Sequence, residues 1–289
     1  MKLETFDLQI IDTHTHFYDP TRPQGVPWPN QDDDFLYKRV MPENYKSLAV
    51  SQGVKGTVVV EASKWFEDNQ WVLDLAETDP FLVGLVGNID IDSADFESNL
   101  SHLAGNPLFR GIRLGGGALG DVADHTFINR LGQLASLDLE LDLLIDSSLL
   151  LLVDVISEKI PDLRIIINHI GHVPIDGKPP GKAWVEGMEI ISKQPNIYCK
   201  ASGFVELTKD KPSASELDYY RPTMDVLWNL FGINCLVYGS NWPVSERYAS
   251  YQNVQQLAFR YFDAMSLIIP SKPQYPGFLQ KVPFSVVSQ

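Results

Sequence analysis

Eight short β-prone runs alternate with amphipathic segments along the 289-residue chain, several of the runs are continuously apolar, and polar residues gather at their carboxyl ends. Together these predict an α/β fold of the (β/α)8 or TIM barrel type. Runs such as Thr57-Val58-Val59-Val60 and Ile165-Ile166-Ile167 suit parallel strands buried on both faces. An open doubly wound sheet competes. No Gly-x-Gly-x-x-Gly follows the first strand, which disfavours a dinucleotide fold.

The predicted strands are Gln9–Phe17, Gly56–Ser63, Phe81–Ile89, Phe109–Gly115, Leu139–Asp146, Arg164–His169, Asn196–Ser202 and Cys235–Asn241. Between them, Pro42 opens a helix that Gly53 can close. Glu67–Thr78 is stopped by Pro80, and Ser93 can cap Ala94–Ala104. Asp124 precedes His125–Ser136, and Ser147 or Ser148 caps a helix ending before Pro161. Trp184–Lys193, Ser215–Phe231 and Ser250–Ala264 complete the set. Two regions break the alternation. Asp19 to Val40 is a long loop with four prolines and the acidic run Asp32-Asp33-Asp34, expected over the barrel mouth. The proline-rich stretch 266–289 reads as an irregular tail, leaving residues 1–265 as a single domain.

The formal charge of −14 argues against a nucleic-acid surface and against attraction to anionic lipid, so the expected partner is a small molecule. Cys199 and Cys235 fall in different predicted strands. Two buried free thiols and an N-terminus with no apolar signal core fit a reducing, cytoplasmic setting. The greasiest stretch, Leu137 to Ile160, is interrupted by Asp138, Glu140, Asp142, Asp146 and Asp154 and is no membrane span.

Chemistry in this barrel class sits at the carboxyl ends of the strands. His14 and His16 lie two apart at the end of the first strand, so both imidazoles, with Asp12 behind them, are expected to aim at one point. That suits two ligands on one metal ion or two hydrogen bonds to one substrate. Strand two ends in Glu61, strand four carries Arg110 and Arg113 before Gly115-Gly116-Gly117, and strand five ends in Asp146. Strand six ends in His169, with His172 in the loop. Strand seven offers Lys200 and Ser202, and strand eight Ser240, Asn241 and Trp242. Four of the six histidines thus fall at strand ends or just past them, which points to a shared site. Blander roles compete: Glu61 with Lys64 as an ion pair, Asp146 as a helix cap, Lys200 as a structural partner, the glycines as a plain turn. Arg113 is the better arginine, because strict alternation turns Arg110 towards the helices.

The ordered segments Ile11-Asp12-Thr13-His14-Thr15-His16-Phe17-Tyr18-Asp19-Pro20, Phe109-Arg110-Gly111-Ile112-Arg113, Asn168-His169-Ile170-Gly171, Tyr198-Cys199-Lys200-Ala201-Ser202-Gly203 and Tyr238-Gly239-Ser240-Asn241-Trp242-Pro243 resemble the amidohydrolase-2 branch of the amidohydrolase superfamily. The likeness covers about residues 8 to 263 and lies near the sugar-lactone and 2-pyrone-4,6-dicarboxylate lactonases. It implies a distorted barrel of the metal-dependent-hydrolase type and ring-opening hydrolysis of a small lactone. Metal-dependent non-oxidative decarboxylases belong to the same branch. His14, His16 and His169 would hold the ring carbonyl, through one divalent ion (zinc or manganese) or directly with none. Arg113, Lys200 and Trp242 would bind substrate, and Trp28 or Trp65 could stack on it.

Two departures stand out. Where the relatives carry Gly-Ser-Asp-Trp-Pro, this chain has Asn241, and a carboxamide cannot take a proton near neutral pH. Glu61, then Asp146, are the expected substitutes as general base. The altered C-terminal stretch is the second departure. Both leave a catalytically silent, ligand-binding relative as an alternative.

Overall fold

The computed structural model describes residues 10–209 and 215–266. Eight parallel strands run in sequential order around one sheet: β1 (Ile10–Thr15), β2 (Val54–Val60), β3 (Leu82–Gly87), β4 (Phe109–Gly115), β5 (Glu140–Leu144), β6 (Arg164–Ile167), β7 (Ile197–Ala201) and β8 (Leu236–Tyr238). A helix follows each strand: α1 (Pro42–Ala49), α2 (Glu67–Thr78), α3 (Phe96–Ala104), α4 (His125–Ser136), α5 (Leu150–Lys159), α6 (Lys182–Ile191), α7 (Leu217–Cys235) and α8 (Tyr251–Ser266). This is the expected barrel.

The barrel nearly closes between β1 and β8. The His16 amide donates to the Trp242 carbonyl at 2.9 Å, and the Asn241 amide donates to the His14 carbonyl at 2.9 Å. Asp12 pins this seam from behind. Its Oδ1 accepts from the amides of Ser240 (2.9 Å) and His14 (3.1 Å), and its Oδ2 accepts from the Tyr45 hydroxyl of α1 at 2.5 Å. Register shifts between Asp12 and Thr15 break strict alternation there. Asp12 therefore faces the helix layer and does not join the histidines, contrary to the simple two-residue reading.

The main apolar core lies between sheet and helices, where Leu141, Leu143, Ile165 and Ile167 meet Val153, Ile156 and Met188. A separate small cluster, Val58, Val60 and Val86, pairs through Val86 with Gly111, two residues from Arg113, and so faces the barrel interior. Opposite it the interior is charged: Lys200 donates to Asp142 at 2.5 Å, with both side chains buried.

Three local expectations change. α3 starts at Phe96 with Asp95 at its N-cap position, and the Ser93 hydroxyl accepts from the Asp95 amide two residues on instead of capping the helix. α7 breaks at Gly232 (φ +60°), just past its expected end at Phe231, and a last short turn ends at Cys235, which therefore precedes β8 instead of opening it. Both cysteines are free thiols, Cys199 buried and Cys235 half-buried. The tail expected over 266–289 lies, beyond Ser266, outside the described residues. Among those, no helix is long and apolar enough to cross a membrane.

Removing the Tyr45 hydroxyl tests the seam. Tyr45→Phe takes one donor from a fully buried carboxylate and is expected to cost about 1–3 kcal/mol in urea unfolding. An unchanged midpoint would mean that the seam does not depend on this bond.

Candidate active site

A cavity of about 420 Å³ opens at the carboxyl end of the barrel, walled by His16, Arg113, His169, His172, Glu206 and Asn241, with Trp28, Leu144 and Tyr248 among its apolar sides. His14 stands behind this wall, fully buried. Its ring centroid is 5.0 Å from that of His16 and 4.4 Å from that of His169. Gly239 permits the approach, since a Cβ there would come within 2.7 Å of the His14 Cβ.

His169 to His172 form an unusual run of left-handed residues, at φ +47°, +51°, +64° and +49°. Such a conformation costs a non-glycine residue on the order of 1–2 kcal/mol. The surroundings hold it: the Trp184 indole of α6 donates to the Ile170 carbonyl at 2.8 Å. The run projects both histidines into the cavity. Gly203 (φ +72°) leaves room for His169, whose Cβ would lie 2.8 Å from any added Cβ.

Hydrogen bonds fix the ring states. His16 Nδ1–H donates to the Val60 carbonyl at 2.6 Å. Burial first, and Arg113 second, push its pKa down to about 3, so the ring is neutral and Nε2 carries a lone pair. Burial likewise holds His14 and His169 well below the usual range. The Ser202 hydroxyl lies 2.9 Å from His169 Nδ1; donating there, it leaves Nε2–H free for a ligand. Among the described residues neither nitrogen of His14 has a hydrogen-bond partner. Arg113 Nη2 donates to the Glu61 carbonyl at 2.7 Å, which aims the guanidinium across the cavity wall.

Asn241, left-handed at φ +57°, joins two groups. Its Nδ2 donates to Glu206 Oε1 at 2.8 Å, and its Oδ1 lies 3.2 Å from His16 Nε2. Glu206 is the residue that strand-end reasoning missed. It sits four residues past Ser202, on the loop after β7, which folds back through the Leu207 amide to the Gly203 carbonyl and a bridge between Thr208 and Ile175. Burial raises its pKa to about 7. The available signal was a carboxylate just past a strand-end glycine, in one of the loops that carry barrel chemistry.

Other expected members lie elsewhere. Asp146 is exposed and caps the turn after β5, accepting from the Ser148 amide at 2.8 Å. Glu61 turns back to accept from the Ser63 amide at 2.6 Å and lines a separate pocket of about 10 Å³ with Arg22, Asp68 and Trp71. Lys200 is consumed by Asp142. Trp242 packs against Tyr45 and Phe17, with ring centroids 5.2 and 6.0 Å away, and does not wall the cavity. Trp28 does, its ring centroid 5.7 Å from that of His16. Trp65 does not appear in that wall. Arg110 donates to the Val83 carbonyl at 3.3 Å, away from the site. The glycines after β4 form a short 3-10 turn.

Would these residues hold a divalent ion? The bare Nε2 of His16, with Nδ1–H held by a carbonyl, and the partnerless His14 have the character of ligating imidazoles. A catalytic zinc site uses three protein ligands. Among the described residues no group of three histidine, cysteine or acidic side chains is placed to hold a metal. The ligand set is incomplete as arranged.

The neutral histidines set a pH dependence. The unfolded chain protonates His16 near 6.5 and the fold resists until about 3. Its stabilising contribution is therefore full above 6.5 and is lost as pH falls, at up to about 1.4 kcal/mol per unit. Glu61 and Glu206, raised from 4.5 to about 7, act oppositely, contributing fully below 4.5 and losing it as pH rises through 7. Nitrogen-15 NMR from pH 8 to 5 is expected to show His16 neutral throughout with its proton on Nδ1. A titration near 6.5 would contradict the burial argument.

With this geometry in hand, comparison with known proteins is direct. The amidohydrolase family model matches residues 11–265. An L-fucono-1,5-lactonase of Burkholderia ambifaria is 33% identical over 242 residues, covering 81% of this chain and 80% of the relative. The fold matches an amidohydrolase crystal structure from Burkholderia multivorans with a TM-score of 0.78 at 22% identity, covering 89% of this chain and 92% of that one. A second crystal form of an amidohydrolase from that organism holds zinc. A probable 2-pyrone-4,6-dicarboxylic acid hydrolase from Acinetobacter baumannii matches with a TM-score of 0.72 at 18% identity, over 90% and 95% of the two chains. The barrel, the ordered strand-end residues and the matched length lead to one conclusion: this chain belongs to the amidohydrolase family.

Proposed function

We propose that the protein hydrolyses a small, largely uncharged cyclic ester of the sugar-lactone class. The observation that carries the reading is the convergence of neutral, buried imidazoles and one guanidinium on a single cavity with a carboxylate in its wall. A lactone carbonyl would accept from His169 Nε2–H and from Arg113, which would stabilise the charge that grows on oxygen as water attacks. His16 would not donate, since its inward nitrogen is a lone pair. Trp28 and Tyr248 offer apolar faces to the carbon side of a sugar ring. The lactonase relative at 33% identity supports the same chemistry.

Charge favours a neutral ring over a dicarboxylate. Among the described residues Arg113 is the single arginine or lysine of the cavity wall, and Glu206 would repel a second carboxylate. A panel of aldonolactones and 2-pyrone-4,6-dicarboxylate tests this. The wild type is expected to prefer an aldonolactone by about a hundredfold in kcat/KM, the equivalent of roughly 3 kcal/mol for one unpaired charge. Preference for the dicarboxylate would overturn the charge argument. Carbon dioxide release from an aromatic acid, or inertness towards the whole panel, would replace hydrolysis with the decarboxylase or the silent reading.

Two variants refine the site. Arg113→Ala is expected to lower kcat/KM by the equivalent of about 1.5–3 kcal/mol with circular dichroism unchanged. Asn241→Asp sets a second carboxylate against Glu206, where an amide donor stood at 2.8 Å. Like charges oppose each other's ionisation, so lactone hydrolysis is expected to fall about tenfold. A large rise would show that position 241 lacks only its carboxylate.

A further inference from the structure

Resting on the lactonase reading, we propose that Glu206, on the loop after β7, is the catalytic base that receives the proton of the attacking water, with Asn241 as the positioning residue that aims it. Three observations meet here. Glu206 walls the same cavity as His16, Arg113 and His169. One of its oxygens is held by Asn241 Nδ2 at 2.8 Å, while Oε2, buried, has no hydrogen-bond partner among the described residues, which leaves it to take a proton. The other two carboxylates at strand ends are unsuited, Glu61 turned into its own small pocket and Asp146 exposed as a cap.

The Asn241 amide can pair with Glu206 in either state, and satisfies His16 as well when Glu206 is protonated. With Glu206 ionised, Nδ2–H donates to it, as observed, and Oδ1 then faces the bare Nε2 of His16 at 3.2 Å, acceptor to acceptor. With Glu206 protonated, the amide turned over would accept from the acid through Oδ1 and donate through Nδ2–H to the bare Nε2 of His16. A carboxylate at 241 could serve only one of these states. The pKa near 7, raised by burial, supports a group able to take and return a proton near neutral pH.

The step balances. Water gives one proton to the Glu206 carboxylate as its oxygen bonds to the lactone carbonyl carbon, and the carbonyl π pair moves to oxygen. When that pair returns, the ring C–O bond breaks, and Glu206 gives the proton to the departing ring oxygen. Lactone and water become one hydroxy acid, and the carboxylate is regenerated.

The test uses the full chain on the aldonolactone the wild type opens fastest. Glu206→Gln keeps the shape and a contact to Asn241 but cannot take a proton. Its kcat is expected to fall about 10²–10⁴-fold, with KM within about threefold. Glu206→Ala opens a space that formate can enter, and formate is expected to restore its rate by about tenfold or more, while leaving the wild type unaffected. A Gln variant retaining more than about a third of wild-type kcat overturns the inference and leaves the lactonase reading standing. So does loss in both variants, at unchanged melting temperature, with no rescue by formate. A wild type that opens no lactone overturns both.

Discussion

The arrangement depends on how the barrel is closed. Three strand residues of β8 cannot carry the last seam alone, and Asp12 makes up the difference by gathering two backbone amides and one phenol around a buried carboxylate. The carboxylate fixes the backbone of His14 and of Ser240 at the same time. The His14 carbonyl then receives the Asn241 amide, and the Trp242 carbonyl receives that of His16. Positions of the first histidine pair and of Asn241 are thus consequences of one charge placed on the far side of the strand. Tyr45 and Tyr251, their hydroxyls 3.1 Å apart, extend this anchor into α1 and α8.

Desolvation sets the chemistry. The same burial that makes three imidazoles reluctant to take a proton makes Glu206 reluctant to lose one, so the ordinary order is reversed, Glu206 at about 7 lying above His16 at about 3. The charged half of the barrel interior is neutralised pairwise, Lys200 by Asp142, and does not spend its charge on the ligand. Breaking such a pair typically costs 3–5 kcal/mol, which marks Lys200 as structural.

Much of this was legible in the sequence. Parallel strands buried on both faces leave continuous apolar runs, so the eight strands and their order were readable, as was the gathering of His14, His16, Arg113 and His169. What escaped depended on three dimensions. Strict alternation misplaced Asp12 because a register shift after it is invisible in one dimension. Lys200 and Trp242 have residue types suited to binding, but only the neighbours across the barrel show them to be an ion-pair partner and a core ring. Asp146 and Glu61 stand at the ends of predicted strands, and Glu206 lies three residues past a strand-end glycine. The direction in which each loop folds back decides which carboxylate meets the cavity. The left-handed run from His169 gives no signal except Gly171, because its support comes from Trp184.

The long loop after β1 is tied at two points. Arg22 binds Asp68 of α2 at 2.9 Å in a nearly buried pair, and Arg247, beyond β8, meets both oxygens of Asp33 at 2.6 Å. Trp28 hangs between these ties, its ring 5.2 Å from that of Tyr18. A wall moored on both sides is already in place before a ligand arrives, so little ordering entropy remains to be lost on binding. Such a mouth would admit a ligand by fit and without a closing lid. Swapping side chains on this moored span would therefore reshape the cavity mouth while the strand-end residues beneath stay as they are.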